Sequence, residues 1–149
     1  MAKIKKILYY VVIPIILILL IFLVIIMVTN PNWKYKLPND YYIRKTSDQN
    51  VELVKKIDNK FYTEYETKQV GISSYIAEFQ YNDNFIGVKT LDVIKEEAVV
   101  HFYLIDTKNM EIHGPYKDEE TYLAVVGVWS KKVLGNWITT TENPNNKGE

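Results

Sequence analysis

Ala98-Val99-Val100-His101-Phe102-Tyr103-Leu104-Ile105 is the most strand-like run in the chain. Part of it is apolar on both faces, which marks a strand covered on both sides of its sheet. Asp106-Thr107-Lys108-Asn109 reads as a turn, because Asp and Asn side chains bond nearby backbone. Met110-Glu111-Ile112-His113 returns from it as an antiparallel partner. Gly114-Pro115 then breaks the strand: glycine can take φ > 0, and proline has no N–H to give to a ladder. Beyond it the period changes. Asp118-Glu119-Glu120 suits the positive end of a helix. Tyr122, Leu123, Val126 and Trp129 follow at helical spacing, and Lys131 and Lys132 fall near the end. One amphipathic helix over roughly 118–132 is expected, packed on the sheet.

Working back toward the N-terminus, strand signals recur. Phe85 to Lys89 pairs with Ile72 to Tyr81 across the turn Asn82-Asp83-Asn84. Phe61 to Thr67 alternates, with Phe61, Thr63 and Tyr65 on one face, and follows a turn at Asp58-Asn59-Lys60. Val51 to Lys55 and Tyr41 to Lys45 flank the turn cluster Thr46 to Asn50. Twelve tyrosines in 149 residues suit such strands, where aromatic rings pack on a pleated surface.

The other decisive stretch is Ile7 to Val28, twenty-two residues without a charge. As a helix it would reach about 33 Å, against a hydrocarbon core of about 30 Å. Between Lys3 and Thr46 there is no Ala, Gly, Ser or Cys, so no signal-peptide cleavage site is present and the segment reads as a permanent anchor. Lys3, Lys5 and Lys6 precede it, which places the N-terminus in the cytoplasm and the remainder outside. Thr29-Asn30-Pro31-Asn32 ends the helix.

The resulting expectation is an α+β protein: one N-terminal transmembrane helix, then an antiparallel β-sheet domain of six or seven strands with one C-terminal helix packed on it. Residues 1–6 are a cytoplasmic N-terminus, 7–29 the transmembrane helix, 30–39 a tether, 40–135 the β-rich extracytoplasmic domain, and 136–149 a disordered tail.

Composition excludes several chemistries. With no cysteine there are no disulfides, thiolate metal sites or lipid-modified cysteine. The formal net charge is zero, and after the three leading lysines fifteen basic residues face eighteen acidic ones, which offers no basic field for nucleic acid. No glycine-flanked serine elbow or glycine-rich phosphate loop occurs around Ser47, Ser73, Ser74, Ser130 or the six glycines.

His101 and His113 are the only histidines, and the hairpin through 106–109 brings them within a few residues of each other. Whether they share a face turns on a one-residue choice of register. They can be read as a metal pair with Glu111 or as two unrelated strand histidines; no third ligand appears at metal spacing. Asp118, Glu119 and Glu120, with Asp106 and Glu111, can be read as an acidic site or as helix-start and turn chemistry. Glu96 and Glu97 read as a polar loop. Tyr103, Tyr116, Tyr122 and Trp129 can line a groove or form core. No catalytic, cofactor-binding or metal residue is assigned.

The run Phe102-Tyr103-Leu104-Ile105-Asp106, with Ile112-His113-Gly114-Pro115 and Asp118-Glu119-Glu120, resembles a family of small uncharacterised bacterial exported proteins, many of them lipoproteins. Tyr42 to Ser47 is similar to that family's opening strand. The family is a domain of unknown function, so the resemblance implies an exported location and no activity. The chain departs from it in having no cysteine. The functional expectation is a membrane-tethered extracytoplasmic binding or interaction module. Its partners would be the lipid bilayer through residues 7–29 and an envelope protein, cell-wall component or secreted peptide, a toxin included. The alternatives are an envelope hydrolase using His101 or His113 with a nearby carboxylate, and a structural subunit of a membrane complex.

Overall fold

The computed structural model describes residues 12–29, 32–94, 96–130, 134–141 and 143–146. The chain divides after Pro31 into two units. The first holds helix α1, Ile13–Thr29. Every large side chain from Val12 to Phe22 except Pro14 is an exposed hydrophobe. The expected transmembrane helix over 7–29 is corrected here; residues 7–11 lie outside those described. The helix has 17 residues and rises only about 25 Å, short of a hydrocarbon core of about 30 Å. Among the described residues no helix is long and apolar enough to cross a membrane.

The second unit is mostly β-sheet. Strands β1 (Trp33–Lys36), β2 (Tyr41–Ser47), β3 (Asn50–Ile57) and β4 (Lys60–Tyr62) form one sheet in that order. Strands β5 (Glu64–Tyr65) and β6 (Lys68–Gln69) make a small ribbon. Strands β7 (Ile76–Tyr81), β8 (Phe85–Ile94), β9 (Glu97–Asp106), β10 (Glu111–Tyr116) and β11 (Ile138–Thr139) form a second sheet in the order β10-β9-β8-β7-β11. Helix α2 spans Glu119–Trp129. The single sheet of six or seven strands is thus replaced by two sheets and a ribbon. Alternation reveals a strand but not the sheet it joins.

Side chains alternate across a strand, and the five-stranded sheet uses both faces. Phe79, Ile86, Val88 and Ile105 meet Trp33, Tyr41, Ile43, Val51 and Leu53 of the four-stranded sheet in one core cluster. Phe102 and Leu104 face the other way, to Tyr122 of α2 and to Leu134 and Trp137. This is why the 98–105 run is apolar on both faces. Burying both faces removes far more apolar surface from water than either helix or sheet could alone, at about 25 cal/mol per Å².

Backbone also ties β3 to the segment that leads into β7, through an isolated antiparallel bridge outside both sheets. Leu53 and Ile72 exchange N–H···O bonds, both 2.9 Å. Gly71 lies against this stitch: a Cβ there would fall 2.2 Å from Leu53 O. A backbone oxygen held by that bridge cannot yield, so Gly71→Ala is expected to destabilise the domain by about 1–3 kcal/mol. Urea unfolding of the variant beside wild type measures this; equal midpoints would remove the stitch from the account.

The turns follow local chemistry. Asn82 Oδ1 accepts from the N–H groups of Asn84 and Phe85. Asp58 and Asn59, and again Glu66 and Thr67, take positive φ, as two-residue hairpin turns require. The hairpin β8–β9 is longer than the sequence indicated. It runs Phe85↔Asp106 to Ile94↔Glu97, so Glu97 is a strand residue and not loop. The helix begins as expected, with Asp118 capping Thr121 N–H at 2.7 Å. The Gly-Pro break is corrected: β10 continues through Gly114 and Pro115 to Tyr116, absorbing them as an irregularity between His113 and Tyr116. The tether is also corrected. Residues 33–36 are β1, and Trp33 and Leu37 are core. In the expected tail, Ile138–Thr139 pairs with β7, Thr140 is buried, and Asn145 Nδ2 donates to Lys34 O.

Candidate functional site

Strand β10 ends the five-stranded sheet, so among the described residues no strand lies on its outer side. Thr107 N–H donates to Asn84 O at 2.9 Å, on the β8 side. Backbone groups change sides at each residue, so Asp106 turns its own toward β10. Its partner there is Glu111, and the next such pair is Leu104 with His113. Ile112, between them, directs its N–H and C=O outward.

An open cleft of about 460 Å³ lies against that edge. Lys68 and Gln69 of the ribbon wall one side, and Tyr103 and the β10 residues from Glu111 to Pro115 wall the other. Lys68 Nζ donates to Asn109 O at 3.0 Å, which ties the ribbon to the β9–β10 turn. That turn is fixed in its own right, because Asp106 accepts from Lys108 N–H, Asn109 N–H and Asn109 Nδ2. Gly114 closes one end with φ +123°, and a Cβ there would meet Phe102 O at 2.7 Å. Burial, and then the charge of Asp92, push the Tyr103 phenol above its ordinary value. Tyr103 is therefore a neutral hydrogen-bond donor at the cleft in ordinary buffers.

The histidines do not meet. His113 lies opposite Leu104 and stacks on Trp129 at 4.5 Å between ring centres, on the helix side of the sheet. His101 has the parity of Tyr103 and lies on the other side, opposite Thr90. Its Nδ1 stands 3.5 Å from Asp92 Oδ2 without forming a hydrogen bond, and His113 Nε2 is likewise buried without a partner. The register resolves the choice left open by sequence: adjacent strands, opposite faces. Glu111 is exposed at the cleft, Asp118 caps α2, and Asp106 holds its turn. Among the described residues no group of three His, Asp or Glu is placed to hold a metal ion. Ser130 is buried and accepts from Asn82 Nδ2. Tyr122 is core, and Tyr103 reaches the cleft.

The ribbon wall escaped sequence reading. Phe61 to Thr67 alternates as one strand would, and Glu66-Thr67 carries no Gly or Asn to announce a turn.

Fold and cleft together define a small two-sheet β domain with one open, walled sheet edge. Residues 38–122 match the family described as protein of unknown function (DUF3997), and the chain belongs to that family. No curated protein and no solved structure matches it.

Proposed function

We propose that this is an interaction module that takes an extended segment of a partner polypeptide along the outer edge of β10. The observation that carries the reading is the outward backbone of Ile112 beside a walled cleft. An added strand gains affinity from main-chain bonds and selectivity from pockets at alternate residues. Exposed edges are normally blunted, and here Gly114-Pro115 blunts one end while Glu111 to His113 stay open.

The same proposal places the module at a bacterial cell membrane, on the extracytoplasmic side. The run of exposed apolar side chains from Val12 to Phe22 on α1 supports lipid association, since contiguous exposed apolar surface marks membrane or protein contacts. The partner is then an envelope protein, a cell-wall-associated chain or a secreted peptide such as a toxin.

Cross-linking of the full-length protein in intact cells, followed by identification of what co-purifies, tests the interaction. Ile112→Pro removes the outward N–H and leaves the Glu111 and His113 ladder bonds in place. It should weaken capture about tenfold, the worth of one lost bond and its unpaired acceptor. Ile112→Ala keeps the N–H and should retain most capture. Equal recovery with the Pro and Ala variants would sink strand addition, and a wild-type protein that recovers nothing would sink the interaction itself.

A further inference from the structure

Charge in the second unit is segregated by sheet. Between Trp33 and Tyr62 seven Lys and Arg stand against four Asp and Glu, whereas from Thr63 to Glu149 eight stand against fourteen. The register sorts the basic residues further. Lys34 lies opposite Arg44, Lys36 opposite Tyr42, Arg44 opposite Glu52, Tyr42 opposite Val54, and Lys56 opposite Phe61. These residues share the face of the four-stranded sheet opposite Ile43, Val51 and Leu53; Val54 and Glu52 on it are buried, Lys34 and Lys36 are exposed, and Tyr42, Arg44, Lys56 and Phe61 are half-buried. Four cations stand on it with a single acid, and Arg44 holds that acid, Glu52, through Nε and a second guanidinium nitrogen.

The face has an aromatic centre. Tyr42 and Phe61 meet edge to face at 5.2 Å. Lys34 Nζ lies 4.8 Å and Arg44 Cζ 5.5 Å from the Phe61 ring centre. A cleft of about 570 Å³ opens at its margin between Trp33, Lys34, Arg44 and Lys45. Cations around aromatic rings are what an anionic interface accepts: the rings suit headgroup depth, and each lysine gains from the negative surface potential. In the chain, β1 of this sheet follows α1 after residues 30–32.

We infer that the outer face of the four-stranded sheet, with Lys34, Lys36, Arg44 and Lys56 around Tyr42 and Phe61, docks on anionic phospholipid headgroups. This rests on the membrane location proposed above. The face orients the domain, leaving the β10 cleft, which is on the other sheet, to its own partner.

Lysine footprinting of the full-length protein tests it. The protein is mixed with phosphatidylcholine vesicles, with and without a minority of phosphatidylglycerol, and acylation rates are read by mass spectrometry. Lys34, Lys36 and Lys56 should react about fivefold more slowly on the anionic vesicles, with Lys108 and Lys117 unchanged and the protection lost in high salt. Equal protection on neutral vesicles would overturn the charge-based docking. So would a vesicle-bound protein whose three lysines stay fully reactive, which leaves the membrane location standing. Failure to associate with either vesicle overturns both readings. Protection by a soluble oligonucleotide and not by anionic vesicles assigns the face to a different polyanion and overturns the lipid.

Discussion

Tyr122→Ala is expected to lower the unfolding free energy by about 3–5 kcal/mol, the range for removing a large buried aromatic. Tyr122 has no exposed surface and is the one side chain of α2 that is fully buried. Its ring stacks on Phe102 at 5.5 Å and lies 5.9 Å from Trp137. Its hydroxyl accepts from Gln80 Nε2 at 2.8 Å, above Gly87, where a Cβ would come within 2.0 Å of that oxygen. Three elements therefore close on one residue, and truncation opens a cavity that none of them can fill without leaving its own partners. Tyr122→Phe keeps the ring and strands the Gln80 amide, so a smaller loss of about 1–3 kcal/mol is expected. Denaturant unfolding of both variants orders the two effects. A Phe variant as damaged as the Ala variant would mean the hydroxyl network, not the ring packing, holds the helix on the sheet.

Local features of this packing were visible in the sequence. The Asp118 cap, the helical spacing behind it, the turns at Asn82 and Asp106, and the double-faced run before Asp106 each depend on neighbours within a few residues. What was not visible depends on distant partners. Ala98 to Ile105 announces that both its faces are covered without saying that a second sheet covers one of them. Trp33 and Leu37 fall in the stretch that reads as a tether, because an apolar run precedes it; in the fold they belong to the core. Ile138-Thr139 is too short to signal a strand and exists because β7 offers an edge.

The candidate site was legible only in part. Glu111, His113 and Gly114-Pro115 drew notice from sequence for metal or turn chemistry, yet their role at the cleft comes from being on an end strand. Strand order is set by which faces must be buried, and a single sequence does not state it. The register that separates His101 from His113 is likewise decided by packing: a one-residue slip of β9 would exchange Leu104 and Ile105 between two cores on opposite faces, each already filled around the residue it holds.

Alkaline pH should unfold the domain over the interval in which its tyrosines ionise. Tyr41 and Tyr122 have no exposed surface, and burial pushes each phenol from 10.0 to about 12, with Asp106 adding to Tyr41 and Glu119 to Tyr122. The Gln80 hydrogen bond opposes part of the Tyr122 shift. A phenol that titrates higher when folded binds its proton more tightly in the native state. The stability it contributes is therefore complete below pH 10 and drains away as pH climbs toward 12. At 1.36 kcal/mol per unit the two together amount to about 5 kcal/mol, comparable to the whole stability of a marginal domain. Tyr35, raised chiefly by its hydrogen bond with Tyr81, acts in the same direction. Lys55, whose ammonium lies 4.8 Å from the Tyr41 ring and whose pKa burial lowers, acts in the opposite one. The phenols outnumber it, so the net slope is downward. Unfolding free energy measured with urea across this interval should fall by several kcal/mol as tyrosinate absorbance appears with the transition. Tyr122→Phe should make that fall about half as steep, since one of the two buried protons is gone. A free energy that stays level from pH 10 to 12 would mean that the phenols of Tyr41 and Tyr122 reach water in the folded protein, and the packing assigned to both would have to be revised.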